Sequence, residues 1–280
     1  MTTKPKHSLQ HIFAQRFRDA PAMGGQETQS ALLHSMAARG SCRSFLDTPV
    51  PDAVTEILCA AALASPTKSD LQQRDIVLLR SAETRAQLAD LVAGQKWVAD
   101  APMIAVFCGN NRRQRLLHDW KEIPFANDHL DAFFNAVGDA AIALGAFVTA
   151  AEALGLGCCP ISAVRNEAAA VSTLLHLPKY VFPFAGLAFG YPAQSPVISK
   201  RLPLGTTCHI DRFHDDGLYE DVAHYDADRA ETQPYDRQRF TGIFGQSTSY
   251  TWSDDKVRQY SAPERSAFGH YVRAQGFNLD

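Results

Sequence analysis

This chain of 280 residues has little charge asymmetry, no cysteine pair at C-x-x-C spacing and no glycine-rich phosphate signature, and each shortage removes a class of protein. Its 27 Lys and Arg against 30 Asp and Glu leave a formal net charge of −3. Binding along a phosphate backbone needs a basic excess, so no nucleic-acid partner is expected. The six cysteines, at 42, 59, 108, 158, 159 and 208, include no C-x-x-C, and the adjacent Cys158 and Cys159 are badly placed for a structural bridge. They read as free thiols of a reducing compartment, which points to the cytoplasm. No G-x-G-x-x-G follows a strand, and neither G-x-x-x-x-G-K-[ST] nor G-x-S-x-G occurs. The apolar run 132–156 is interrupted by Asn135, Asp139 and Glu152, which speaks against a membrane span. The first twenty residues lack the apolar core of a signal peptide. Cys208-His209-x-Asp211-x-x-His214-Asp215 lacks the i, i+4 pairing of a zincin and reads as a polar loop, so no metal is expected.

What remains is a chain that is 46% apolar, enough for a large core. Helices are expected over 8–20 and 27–38, the first twenty or so residues forming an arm. The spacing of Val54, Ile57, Leu58, Ala61 and Ala62 predicts a helix beginning at Pro51-Asp52. Strands are expected at Ile76–Leu79, Met103–Cys108, Cys158–Ile161 and Phe182–Phe189. The continuous apolar run from Met103 suits a strand covered on both faces. Between the strands lie helices over 83–92, 130–154 and from Asn166, taken as its N-cap, to about 175. The alanine-rich segment 130–154 is expected to be buried nearly all round, as a core helix or one buried at a subunit interface. Residues 109–128 read as polar and irregular, with Arg112, Arg113 and Arg115 on a solvated face. Two further helices are expected near 217–230 and 264–275. Strands alternating with helices indicate α/β or α+β layers.

The stretch Arg39-Gly40-Ser41-Cys42-Arg43 places two guanidinium groups and a hydroxyl at alternate positions. In extended backbone alternate side chains share a side. The three could converge on a phosphate-like anion, which planar guanidinium forks match, or could be a solvated basic turn. Ser69, Gln95, Lys96, Arg165 and Arg201 also fall in loops beside apolar elements, with no acid–base pair alongside. Such donors suit a site whose reactive chemistry belongs to a bound cofactor.

These segments together resemble the FMN-dependent nitroreductase family, and within it the larger NAD(P)H-using group that includes the major oxygen-insensitive nitroreductase and flavin reductase P. The resemblance rests on Arg-Gly-Ser-Cys-Arg-Ser-Phe (39–45), Gly-Gln-Lys-Trp-Val-Ala-Asp-Ala (94–101), Ala-Ala-Glu-Ala-Leu-Gly-Leu-Gly (150–157) and Arg165-Asn166. Leu-Ala-Phe-Gly-Tyr-Pro (187–192), Lys-Arg-Leu-Pro (200–203), Thr251-Trp252-Ser253-Asp254 and Tyr271 with Gln275-Gly276-Phe277 complete it, in order over 31–280. It implies an α+β fold with a central mixed or antiparallel sheet flanked by helices, in a domain-swapped homodimer with FMN at the interface. The domain would span 31–280, with a C-terminal excursion over 200–280 and an extra helical arm over 1–30.

By the same resemblance, Arg39, Ser41, Arg43 and Arg201 would hold the FMN phosphate and ribityl end. Thr67, Lys68 and Ser69 would contact the flavin, and Gln95 and Lys96 the pyrimidine edge. Pro160, Ile161, Ser162 and Ala163 would line the reactive face. Ser69, Arg165, Tyr250 and Arg265 would border the substrate pocket. The implied activity is ping-pong hydride transfer from NADPH or NADH through FMN to nitroaromatic, quinone or flavin acceptors. A dedicated substrate, reaction with O2 and a non-catalytic flavin-binding module are the alternatives. Three departures from the family pattern are visible. Cys158–Ala163 replaces a glycine-rich segment, Gly245–Tyr250 lacks arginines that often precede Trp252, and Ser199 stands where lysine is usual.

Overall fold

A computed structural model describes residues 7–23, 29–92 and 95–280. In chain order its helices are α1 (Leu9–Arg16), α2 (Ala31–Ala38), α3 (Asp52–Leu63), α4 (Ala82–Leu91), α5 (Lys96–Ala99), α6 (Arg112–Lys121), α7 (Leu130–Ala153) and α8 (Ala168–Leu174). They continue with α9 (Leu204–Thr207), α10 (Leu218–Thr232), α11 (Thr241–Phe244), α12 (Trp252–Tyr260) and α13 (Phe268–Ala274). The chain divides into two compact units: a helical one from residues up to 39 and 197–264, and a sheet-bearing one from 40–196 and 265–280.

The sheet consists of β1 (Arg74–Leu79), β2 (Met103–Asn110), β3 (Gly157–Ile161) and β4 (Val181–Gly190) in the order β1-β2-β4-β3. All three pairings between these strands are antiparallel. Every residue of β2 is buried, as its unbroken apolar run requires. Its alternation sorts side chains between two cores. Met103, Ala105 and Phe107 pack with Leu58, Phe147, Leu187 and Phe189. Ile104, Val106 and Cys108 pack with Leu88, Val92, Val98 and Val171. Phe147 meets Phe107 and Phe189 edge-on, at ring centroid separations of 5.6 and 5.1 Å, a favoured geometry for aromatic pairs.

The structure differs in detail from the sequence reading at four helices. Helix α7 is buried on one face only, through Ala132, Ala136, Asp139, Ala140, Ala143, Phe147 and Ala151. Phe134 and Ile142, on another face, are 67% and 44% exposed within this chain. Residues 112–121 are helical rather than irregular, and two of the three arginines there are engaged. Arg113 pairs with Asp75 at 2.7 Å, and Arg115 pairs with Asp128 at 2.5 Å and lies over the Tyr180 ring. With Leu116, Leu117 and Trp120 as its apolar residues, such a polar helix buries none of its side chains and is held by side-chain pairs. Asn166 does not cap α8; a short 3-10 turn at Ser162–Arg165 intervenes and Glu167 is the N-cap. Helix α12 went unread although Thr251 and Asp254 form a reciprocal capping box.

In the helical unit, α1 is not a loose extension. Leu9 and Ile12 are buried with Ala37, against Phe13, Met23, Ala38 and Ile198. Of the expected helix over 27–38, residues 27 and 28 lie outside the described residues.

Candidate functional site

In the sheet unit, residues 41–46 cross the end of β3 and β4 in extended form. Ser41 bridges Cys158, Phe45 bridges Pro192, and Cys42 N–H donates to the Cys158 carbonyl at 2.9 Å. Cys42 is buried while Ser41 and Arg43 are exposed, so the alternation read from the sequence holds for these two. The contact is tight: a Cβ on Gly157 would lie 2.6 Å from the Cys42 Cβ and Sγ. Glycine at 157 is therefore what lets the stretch lie so close. The Arg43 guanidinium sits 5.7 Å from the Trp97 ring centroid. Trp97 in turn donates its indole N–H to Gln95 Oε1 at 2.9 Å. Arg43, Trp97 and Gln95 thus form one cluster, and the accepting Gln95 oxygen leaves its amide nitrogen to donate. Lys96, the first residue of α5, is exposed next to them, whereas Gly94 of the same segment lies outside the described residues.

Residues 67–72 follow an unusual path. Ser69, Asp70 and Gln72 all have positive φ, at 48°, 56° and 51°. Each such residue costs of order 1 kcal/mol and persists only where the surroundings dictate it. The surroundings here are Asp139, 2% exposed on the core face of α7. Its carboxylate accepts the Lys68 N–H at 2.9 Å and the Gln73 N–H at 2.8 Å. Buried Arg74 holds the preceding turn by donating to the carbonyls of Leu63 and Ser65 at 2.6 and 3.1 Å. Lys68 and Ser69 project into solvent, the lysine Nζ donating to Ser69 Oγ at 2.9 Å.

Pro160 lies exposed in β3, an edge strand, where its missing N–H is tolerated. Ile161 is buried, Ser162 exposed and Ala163 half-buried. Just beyond, Arg165 donates to the Phe184 carbonyl and Arg265 donates to Asn166 Oδ1 at 3.1 Å. Burial, and then the neighbouring Arg265 charge, holds Arg165 below the usual arginine range. Arg165, Asn166 and Arg265 therefore form a second basic cluster.

In the helical unit, Arg39 and Arg201 line one groove of about 650 Å³. Arg229, Lys256, Tyr225, Tyr235 and Trp252 line it as well. Tyr250 belongs to this unit and its hydroxyl is committed, accepting the Arg239 N–H at 3.1 Å and donating to Asp255 Oδ1 at 3.0 Å. Among the described residues, no group of three or more His, Cys, Asp or Glu is arranged to hold a metal ion.

Sequence reasoning missed Asp139, Trp97 and Arg16. Asp139 carried a usable signal, a lone acid in register with Ala132, Ala136 and Ala143 on the buried face of an alanine-rich helix. Trp97 was quoted only as part of a motif. Arg16 carried no local signal, since its partners are backbone carbonyls distant in sequence.

Residues 36–191 match the Nitroreductase family model and residues 199–280 match that of the Nitroreductase family, C-terminal domain. The chain belongs to the nitroreductase family. Residues 1–35 lie ahead of both matches. The chain is 32% identical over 257 residues to an FMN reductase [NAD(P)H] of Bacillus subtilis, covering 89% of this chain and 98% of that protein. It is 34% identical over 251 residues to an oxygen-insensitive NADPH nitroreductase of Salmonella typhimurium, with coverage of 89% and 98%. Among solved structures, NfrA2 of B. megaterium superposes with a TM-score of 0.82 at 27% identity, covering 90% of this chain and 99% of that one. An NADPH:FMN oxidoreductase from Vibrio harveyi complexed with NAD+ gives a TM-score of 0.77 at 26% identity, with coverage of 88% and 98%. This nitroreductase-family chain thus shares the family's α+β fold, the pairings among its four strands antiparallel and the Ser41–Cys158 bridge parallel.

Proposed function

We propose that the protein is an FMN-dependent NAD(P)H oxidoreductase that passes reducing equivalents to nitroaromatic, quinone or flavin acceptors. The observation that carries this reading is the donor set of the sheet unit in a chain of this family. Ser41, Arg43, Lys68, Ser69 and Lys96 are exposed, and Gln95 is partly so. The nearby acids are already engaged: Asp139 accepts two backbone N–H groups, and Asp70 accepts from Gln72 at 3.2 Å. Such a set fits an anionic, oxygen-rich molecule such as FMN.

Bound FMN would supply hydride acceptance from NAD(P)H and onward donation in a ping-pong cycle, chemistry that belongs to the cofactor. The task of the chain is to bind and orient. Ser41 and Arg43 offer a hydroxyl and a guanidinium for the phosphate and ribityl end, the role that the family resemblance also gives Arg39 and Arg201. Thr67, Lys68 and Ser69 are offered to the flavin by a backbone that Asp139 fixes. Gln95 and Lys96 suit the carbonyl-rich pyrimidine edge as donors. Pro160, Ile161, Ser162 and Ala163 are assigned to the reactive face, where proline removes one amide donor. Ser69, Arg165 and Arg265 would border the acceptor, and Tyr250, its hydroxyl committed, could offer only its ring.

The exposed apolar residues Phe134 and Ile142 on α7 and Ile57 on α3 support a homodimer. The free thiols of Cys42, Cys59, Cys108 and Cys208 support a cytoplasmic location. The assay is steady-state NADH and NADPH oxidation with a nitrofuran and with a quinone, on protein whose absorbance has been recorded first. A yellow protein that turns over either acceptor is the expected result. Negligible turnover of both would sink the general-reductase reading.

A further inference from the structure

Within the helical unit, the two arginines assigned to the FMN phosphate stand on segments with little regular structure of their own. Arg39 immediately follows α2, and Arg201 lies in the irregular run 191–203. What holds both segments is one side chain from α1. The Arg16 guanidinium is 6% exposed and aimed at backbone carbonyls. Its Nε and Nη2 donate to the Ala37 carbonyl at 3.0 and 2.7 Å, and Nη2 also donates to the Arg39 carbonyl at 2.5 Å. Its Nη1 donates to the Ser199 carbonyl at 3.1 Å. In return, the Arg16 carbonyl accepts the Arg201 N–H at 2.8 Å.

Three residues on, Asp19 accepts the N–H groups of Leu204 and Gly205 at 2.7 and 2.9 Å. Burial works against ionisation of Asp19, but these backbone donors outweigh it and hold its carboxyl below the usual range. The loop around Arg201 is thus gripped on both sides, at 199–201 by Arg16 and at 204–205 by Asp19. Gln233, the C-cap of α10, donates to the Ile198 carbonyl at 2.7 Å and Tyr225 of α10 to the Lys200 carbonyl at 3.2 Å, completing the support of the loop backbone.

We infer that Arg16 and Asp19, both ahead of the family-matched stretch, are positioning residues that pre-set Arg39 and Arg201 for the cofactor phosphate. The physical basis is preorganisation: an anion bound by a fixed pair of cations need not order them first. A planar guanidinium holds its five donors in a rigid fork, so the three carbonyls it binds are fixed in direction as well as satisfied. The inference rests on the FMN reading above.

The test compares FMN with riboflavin, which has the same ring and ribityl chain but no phosphate. Dissociation constants for both are measured by flavin fluorescence on the full-length protein, Arg16→Met and Asp19→Asn, with thermal melts in parallel. Arg16→Met should weaken FMN by about tenfold and riboflavin by less than about twofold. Asp19→Asn, which keeps one acceptor oxygen, should weaken FMN by about threefold in the same selective way. Equal weakening of both flavins, or unchanged FMN affinity, would show a merely structural role and overturn the inference. If Arg16→Met fails to fold, Asp19→Asn decides by the same criterion. If the unaltered protein takes up neither flavin, the flavin reading itself falls, and the inference falls with it.

Discussion

The Asp139 carboxylate accepts the backbone N–H of Lys68 at 2.9 Å, joining the longest helix to the loop offered to the flavin. The same carboxylate accepts the Gln73 N–H at 2.8 Å, so it spans the segment that contains all three positive-φ residues between them. Removing it leaves two donors without their acceptor and frees a strained backbone. Asp139→Ala should cost about 3 kcal/mol, since hydrogen bonds to a charged group contribute roughly 1.5–3 kcal/mol each. That corresponds to a fall in Tm of about 6–12 °C for a chain of this size. Asp139→Asn, with one oxygen left, should fall between. A melt of Asp139→Ala within about 2 °C of the unaltered protein would show that the loop holds itself.

Arg43 tests the anion site from the sheet unit. It is exposed on the outward side of the 41–46 stretch, and its recorded neighbour is the Trp97 ring. Its replacement should therefore spare the fold while removing a charge-assisted contact. Arg43→Ala should weaken FMN binding by at least a few-fold, consistent with a contact of roughly 1.5–3 kcal/mol. Titration of the apoprotein with FMN measures this directly, and unchanged affinity would remove Arg43 from the phosphate site.

How much of this was legible beforehand follows from how local each signal is. The four strands could be read because β2 and β4 are continuous apolar runs, and the structure only lengthens them to Asn110 and Gly190. The Ser41–Arg43 alternation could be read because extended backbone has a period of two. Helix α6 could not, because what stabilises it is pairing with Asp75, 38 residues from Arg113, and with Asp128, 13 residues from Arg115 and off the helix. For α7 the sequence could not separate a core helix from one buried at a subunit interface, because alanine suits either, and within this chain one face is covered. Arg16 looked like one more basic residue in an arm, since a bond to the Ser199 carbonyl has no sequence signature.

Asp255 gives the fold a defined acid sensitivity. It is 2% exposed, and burial opposes its ionisation. Hydrogen bonds from Lys256 at 2.7 Å, Tyr250 at 3.0 Å and Arg239 at 3.0 Å outweigh that cost and hold its carboxyl below the ordinary 3.8. A folded-state value below the unfolded one means the stabilisation is fully present above the unfolded pKa. It is lost as pH falls through the folded value. Urea midpoints should therefore drop between about pH 5 and pH 3, and Asp255→Asn should lower stability at pH 7 while flattening that drop. A variant with the same acid dependence as the unaltered protein would assign the sensitivity to other carboxylates.

The cysteines give the least ambiguous count. Cys42, Cys108, Cys158 and Cys159 are buried, Cys59 is half-buried, and Cys208 alone is exposed. Only the thiolate reacts with a disulfide reagent, so access and ionisation must coincide. Burial pushes the thiol of Cys108 far above its ordinary value and raises those of Cys42 and Cys59 as well. For Cys42 the neighbouring Arg43 charge pulls the other way without reversing the shift. Native protein treated with Ellman's reagent at pH 8 should therefore show one fast equivalent, lost in Cys208→Ser. All six cysteines should react after denaturation. A second fast thiol that disappears in Cys42→Ser would mean that the 41–46 stretch opens from β3 in solution, and the extended geometry that aligns Ser41 with Arg43 would have to be abandoned.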